Sequence, residues 1–246
     1  MSAQTERSLI SEIAKGLKGT FLDGQLILGG SSGLFVFPTS APPFTEDIDY
    51  LVREDLVVSR GVEIVGLLER LGFRRAAETP TFTSPGRLSL DLVGYSLLDS
   101  TDHLSPAGPL QVMVFADLGI ALGSPESVER HSDGTVALSP AGFCSLKLMT
   151  MRVEKGSKDK LQALLVIAER APDSGFRGEL ARILKSFGME RRRDASADAQ
   201  VALLSLQKDP TFKDHGAEGY SSFVASAEKG YQTLLEILKE ASHGGT

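Results

Sequence analysis

The chain has 246 residues, of which 41% are apolar and 24% charged, with a formal net charge of −6 and a single cysteine. This is the balance of a globular protein long enough to bury a sizeable core in one large domain or two ordinary ones. Cys144 alone cannot form an internal disulfide, no apolar run reaches the ~18 residues of a membrane span, and the acidic balance argues against broad non-specific nucleic-acid binding. The first twenty residues carry no signal-peptide core, so the expected compartment is the cytoplasm, without a membrane partner.

In chain order, Leu9, Ile10, Ile13, Ala14 and Leu17 recur at helical spacing over residues 5–18. Gly19 and Gly24 bracket a turn before a strand over 25–29. Gly29, Gly30, Ser31 and Ser32 then read as a small-residue turn and a short helix, followed by a loop. Asp47, Ile48, Asp49, Tyr50 and Leu51 alternate as a second strand. Residues 61–71 read as a helix stopped by Gly72. Residues 73–77, 79–84 and 88–94 read as successive strands, with a hairpin turn at Ser84, Pro85, Gly86 and Arg87. Residues 96–110 read as loop, 110–116 as strand, and 117–138 as punctuated by Gly, Pro and Ser, with a short strand pair near 127–131 and 135–138. From Ser139, with Pro140 at a first helical position, helices are expected over 139–154, 157–171, 175–187, 195–207 and 218–241. The pattern is α+β, a mixed sheet with flanking helices over residues 1–135, followed by an all-helical domain over 136–246.

The chemistry concentrates in the first part. Asp47 and Asp49 are two residues apart on one strand and therefore share a face. Carboxylates held side by side repel each other unless a cation lies between them. A hard divalent ion resolves the repulsion, and Mg²⁺ is commonly held by one or two carboxylates plus substrate phosphates. Asp91, alone among Leu88, Leu90, Leu92 and Val93, is unfavourable in a strand without a partner and joins the set. Glycines at 29 and 30 permit close backbone approach to a ligand, and Ser31 and Ser32 offer hydroxyls and amides that suit phosphate. No P-loop or Rossmann glycine pattern is present. His103, His131, His215 and His243 are scattered without ligand spacing, Cys144 reads as core, and Arg191, Arg192 and Arg193 form a charge run between helices.

The apolar-Gly-Gly-Ser turn, the Thr45-Glu46-Asp47-Ile48-Asp49 string and the apolar-Asp91-apolar strand resemble the nucleotidyltransferase superfamily, of polymerase-β-like fold. The Arg that often precedes the Thr by two residues in that family is Pro43 here. Lys147, Arg152 and the pair Lys158-Asp159 resemble the downstream motifs of its AbiEii-type branch, which includes toxins of toxin–antitoxin systems; an acid often found three residues after the Asp is Gln162 here.

The resemblance implies Mg²⁺-dependent (or Mn²⁺-dependent) transfer of a nucleoside monophosphate from an NTP to an acceptor hydroxyl on RNA, tRNA or protein, with an antitoxin as possible partner protein. It implies metal and catalytic roles for Asp47, Asp49 and Asp91, with Asp159 a second base. It implies nucleotide contacts from Gly29, Gly30, Ser31, Ser32, Lys147, Arg152 and Lys158, with Lys147 reaching the triphosphate. The alternatives are transfer to a small molecule such as an aminoglycoside-like hydroxyl, and a non-catalytic partner-binding protein on the same fold.

Overall fold

The computed structural model describes residues 3–41, 45, 47–76, 79–84, 89–106, 108–149, 157–206 and 216–243. Two seven-residue strands, β2 (Asp47–Arg53) and β5 (Ser89–Tyr95), run parallel at the centre of a mixed sheet, in register from Asp47 against Ser89 to Arg53 against Tyr95. Around them lie β1 (Ile27–Leu28), β3 (Arg74–Arg75), β4 (Thr81–Thr83), β6 (His103–Leu104), β7 (Met113–Val114), β8 (Val128–Arg130) and β9 (Val136–Leu138). The order across the sheet is β3-β4-β5-β2-β1-β9-β8. β1 pairs antiparallel with β2 and parallel with β9, and β4 pairs antiparallel with β5. β7 lies parallel to the far end of β5, where Gly94 faces Val114, and carries β6 on its other side. A Cβ at Gly94 would come within 2.7 Å of Val112 and 2.9 Å of Val114, so this glycine admits the edge.

Alternation decides the faces. Ile48, Tyr50, Val52, Leu90 and Leu92 point to one side and join Leu28, Phe82 and Phe73 in the main core. That core is closed by α1 (Ala3–Leu17), through Ile10 and Ile13, and by α2 (Glu54–Arg70), through Ile64 and Leu68. Asp47, Asp49 and Asp91 point to the opposite side.

α2 begins immediately after β2, seven residues before the expected helix at 61, and is kinked at Arg60 (φ −134°, ψ 22°). The apolar period exposed in the sequence is that of the segment beyond the kink. The helix ends in a Schellman motif: Phe73 N donates to Leu68 O and Gly72 N to Glu69 O, with Gly72 at φ 88°.

Two further elements depart from expectation. The strand expected over 110–116 is confined to β7, and α3 (Ala116–Leu122) follows where punctuated loop was expected. Gly119 in mid-helix lowers helix propensity, but a Cβ there would lie 1.8 Å from the Ser96 carbonyl oxygen, so the glycine is what lets α3 seat on the backbone after β5. β6 lies within the expected loop 96–110. The hairpin turn read at 84–87 lies outside the described residues, apart from Ser84.

The chain divides into two compact units. The first comprises residues 1–38, 43–123 and 128–138, and the second 39–42, 124–127 and 139–246. The second is helical: α4 (Pro140–Met149), α5 (Lys158–Arg170), α6 (Ser174–Lys185), α7 (Met189–Ser205) and α8 (Gly216–His243). The Ser139 hydroxyl caps α4, accepting from Gly142 N at 3.0 Å, with Pro140 in the first turn as read from the sequence. α5 is the buried centre of this unit, with Asp159 through Ala168 all buried. A Cβ at Gly230 of α8 would lie 2.0 Å from the Leu164 carbonyl oxygen, which sets the close approach of α8 to α5. α7 begins six residues before the expected 195, so Arg191, Arg192 and Arg193 lie inside a helix and not between helices. Among the described residues, no helix is long and apolar enough to cross a membrane.

Candidate functional site

The acidic site is built by β2 and β5. Asp49 and Asp91 are register partners across the parallel pair, and Asp47 lies two residues before Asp49 on the same face. A carboxylate oxygen from each of the three falls within 4.8 Å of the others, with Asp49 buried and Asp47 and Asp91 half-buried. At that separation two like charges cost about 1 kcal/mol at the dielectric of water and about 3–4 kcal/mol near a protein surface. The expectation that Asp91 stands on a strand near the Asp47/Asp49 strand is met by direct pairing.

The turn after β1 holds these carboxylates in place. Gly30 has φ 54° and ψ −156°, and a Cβ there would lie 1.7 Å from Asp49 Oδ2, so the Asp49 carboxylate occupies the space that only glycine leaves open. Gly29 N donates to Asp49 O at 2.8 Å, and a Cβ at Gly29 would press on the Leu51 side chain at 2.9 Å.

The Ser32 hydroxyl, expected beside Ser31 as a phosphate group, is committed to backbone: it donates to Gly29 O at 2.7 Å and accepts from Asp49 N at 3.2 Å. With the residue fully buried, this hydroxyl ties turn to strand. Ser31, also buried, opens a short 3₁₀ turn over Ser31–Phe35.

Thr45 Oγ1 donates to Asp47 Oδ1 at 2.7 Å and lies 2.9 Å from Asp47 O, fixing the orientation of that carboxylate. In the sequence Thr45 stands out only as part of the Thr-x-Asp-x-Asp string; its contact with Asp47 is not visible there. Glu46 and Pro43 lie outside the described residues.

The donor set is suited to a metal ion. Three carboxylate oxygens converging from two adjacent strands form an all-oxygen, highly charged set, the chemistry of hard divalent cations. The three aspartates are placed to hold one.

Within the second unit, Lys147 and Asp159 meet each other. Lys147 Nζ lies 2.5 Å from Asp159 Oδ1, with both side chains less than 10% exposed, and the ammonium also lies 5.8 Å from the Phe143 ring. Lys160, buried as well, donates to the carbonyls of Lys147 at 3.1 Å and Leu148 at 2.8 Å, closing the C-terminal end of α4 where a cation meets the helix dipole. Burial pulls the Lys160 ammonium below the usual lysine range. Lys158, the first residue of α5, is half-buried, and Arg152 lies outside the described residues.

A crystal structure of a candidate nucleotidyltransferase from H. pylori matches this fold over 100% of both chains, with a TM-score of 0.52 and 13% sequence identity. At that identity the likeness is one of fold: the chain has a nucleotidyltransferase-like α+β fold, a mixed sheet with flanking helices followed by a helical region. No protein-family model matches the chain, and neither does a curated protein.

Proposed function

We propose that this protein is a nucleotidyltransferase that moves a nucleoside monophosphate from an NTP to an acceptor hydroxyl with Mg²⁺ or Mn²⁺ held by Asp47, Asp49 and Asp91. The observation that carries the reading is the convergence of those three carboxylates beside the Gly30 turn. The likeness in fold to the H. pylori protein points the same way.

The bound ion would neutralise triphosphate charge and polarise the α-phosphorus. Asp91 would accept the proton of the acceptor hydroxyl as its oxygen attacks that phosphorus. The bond to the β-phosphate oxygen would break, and pyrophosphate would leave. The turn at Gly29 and Gly30 would meet the terminal phosphates, with Ser31 donating its hydroxyl. Ser32 and Thr45 act through the aspartates, as positioning residues.

Lys147, Lys158 and Arg152 as phosphate contacts, and Asp159 as a second base, belong to the same proposal. For Lys147 and Asp159 those roles require their mutual ion pair to open. The acceptor is proposed to be RNA, tRNA or protein, as the AbiEii resemblance implies, with an antitoxin as partner and the cytoplasm as the setting. Calorimetry of NTP binding with and without Mg²⁺ tests the core of this reading. The Asp47→Asn/Asp49→Asn protein should lose the Mg²⁺-dependent part, and equal Mg²⁺-dependent affinity in both proteins would refute it.

A further inference from the structure

A second convergence of ligating atoms lies elsewhere in the first unit. Glu54 opens α2, Asp99 follows β5 and His103 lies in β6; one ligand atom from each falls within 4.8 Å of the others. Glu54 follows the last residue of β2 and Asp47 is its first, so the length of the strand, about 20 Å, separates the two sets.

The ring of His103 is held at both nitrogens. Nδ1 lies 3.1 Å from the Thr101 carbonyl oxygen and Nε2 lies 2.8 Å from Glu54 Oε1. A carbonyl only accepts, so Nδ1 carries a hydrogen and Nε2 is the atom turned to the carboxylate. An ionised carboxylate also only accepts, so a neutral ring in this tautomer would set lone pair against lone pair. Nε2 therefore needs a positive charge beside it, either its own proton or a metal ion. A histidine whose second ring N–H rests on a backbone carbonyl is the arrangement found at metal ligands.

Two carboxylate oxygens and one imidazole nitrogen form a mixed set of the kind that holds a divalent ion. A cavity of about 590 Å³ adjoins the group, and Glu54 and Asp99 form part of its wall together with Arg53, Tyr95, Leu97 and Leu98. An ion held there would keep an open coordination position with access to the cavity, as catalytic zinc sites with three protein ligands do.

The geometry points to Glu54, Asp99 and His103 as a second metal site, one that takes a borderline ion of the Zn²⁺ class through a nitrogen ligand, where the all-oxygen aspartate set suits Mg²⁺. Asp99 and His103 stand four positions apart (103 − 99), but Glu54 lies 45 positions before Asp99 (99 − 54), so the sequence spacing does not announce the set.

The test uses the full chain carrying Asp47→Asn/Asp49→Asn, which silences the aspartate site. Zn²⁺ binding is measured by calorimetry in excess Mg²⁺, with Co²⁺ as a visible-absorption probe. One equivalent should bind, and His103→Ala and Asp99→Asn should each weaken it at least tenfold. Asp99 is exposed, so its variant should fold even if His103→Ala does not. His131, beside Glu129 at 3.2 Å, is the control, and His131→Ala should leave binding unchanged. Absence of Zn²⁺ binding, undiminished binding in the Asp99→Asn protein, or loss only in His131→Ala overturns the assignment.

Discussion

Asp49 and Asp91 are register partners on adjacent parallel strands, their side chains on one face and their carboxylate oxygens, with one from Asp47, within 4.8 Å. Like charges this close repel by about 1 kcal/mol at the dielectric of water and about 3–4 kcal/mol near a protein surface. Without a metal ion, Asp91→Asn should therefore leave the protein as stable as the wild type or raise its stability by up to that amount. Mg²⁺ with NTP should raise the melting temperature of the wild type and not that of the variant, because a ligand stabilises only the fold that binds it. Melting curves with and without Mg²⁺ and each NTP decide the matter; a variant that melts lower alone yet keeps the full ligand shift contradicts the metal reading.

The neighbouring serines should part company. Ser32→Ala leaves the buried Asp49 amide without its acceptor and should cost about 1–3 kcal/mol of stability. Ser31→Ala should cost about 1 kcal/mol in NTP binding, the range of one hydrogen bond. Denaturant unfolding and NTP calorimetry on both variants separate the roles, and a larger stability loss at Ser31 than at Ser32 would reverse the assignment.

Gly30→Ala meets two obstacles at once, a positive φ and the Asp49 carboxylate. With ψ at −156° the backbone lies in a region open essentially to glycine alone, a strain of about 1–3 kcal/mol, and the displaced carboxylate should lower Mg²⁺ affinity as well. Gly19 provides the comparison, with φ 75° and open space where its Cβ would lie. Gly19→Ala should show the strain without any change in metal binding. Equal metal affinity in the Gly30→Ala protein would mean that Asp49 is not a ligand.

Lys147 and Asp159 form an ion pair buried in the helical unit, so removing one partner takes a close counter-charge from a buried group. Lys147→Ala or Asp159→Ala should cost about 3–5 kcal/mol, while Lys147→Met/Asp159→Leu should recover most of it. The double variant also isolates function, since it restores the fold without the cation. Wild-type NTP affinity in that protein would remove Lys147 from the phosphate site.

Much of the site was legible in the sequence because its signals are local. The Gly29–Gly30 turn, the alternation that places Asp47 and Asp49 on one face, Asp91 among leucines and the Pro140 helix start all depend on neighbours within a few positions. The helical character of the chain beyond Ser139 follows from the same short-range periodicity. The placement of two carboxylates on one face was therefore readable from residue types and a spacing of two.

What the tertiary structure decided are pairings between residues far apart in the chain. The register that sets Asp49 against Asp91 depends on how two strands 42 positions apart dock (91 − 49). Gly119 reads as a helix breaker until the Ser96 carbonyl fills the space its side chain would take. Ser32 reads as a phosphate hydroxyl until Gly29 O and Asp49 N engage it. Lys147 and Asp159 read as separate active-site groups until α4 and α5 bring them to 2.5 Å. Backbone periodicity is written into adjacent residues by φ/ψ sterics and side-chain alternation, whereas which distant partner satisfies a buried polar or charged group is settled only when the core closes and the dielectric around that group falls.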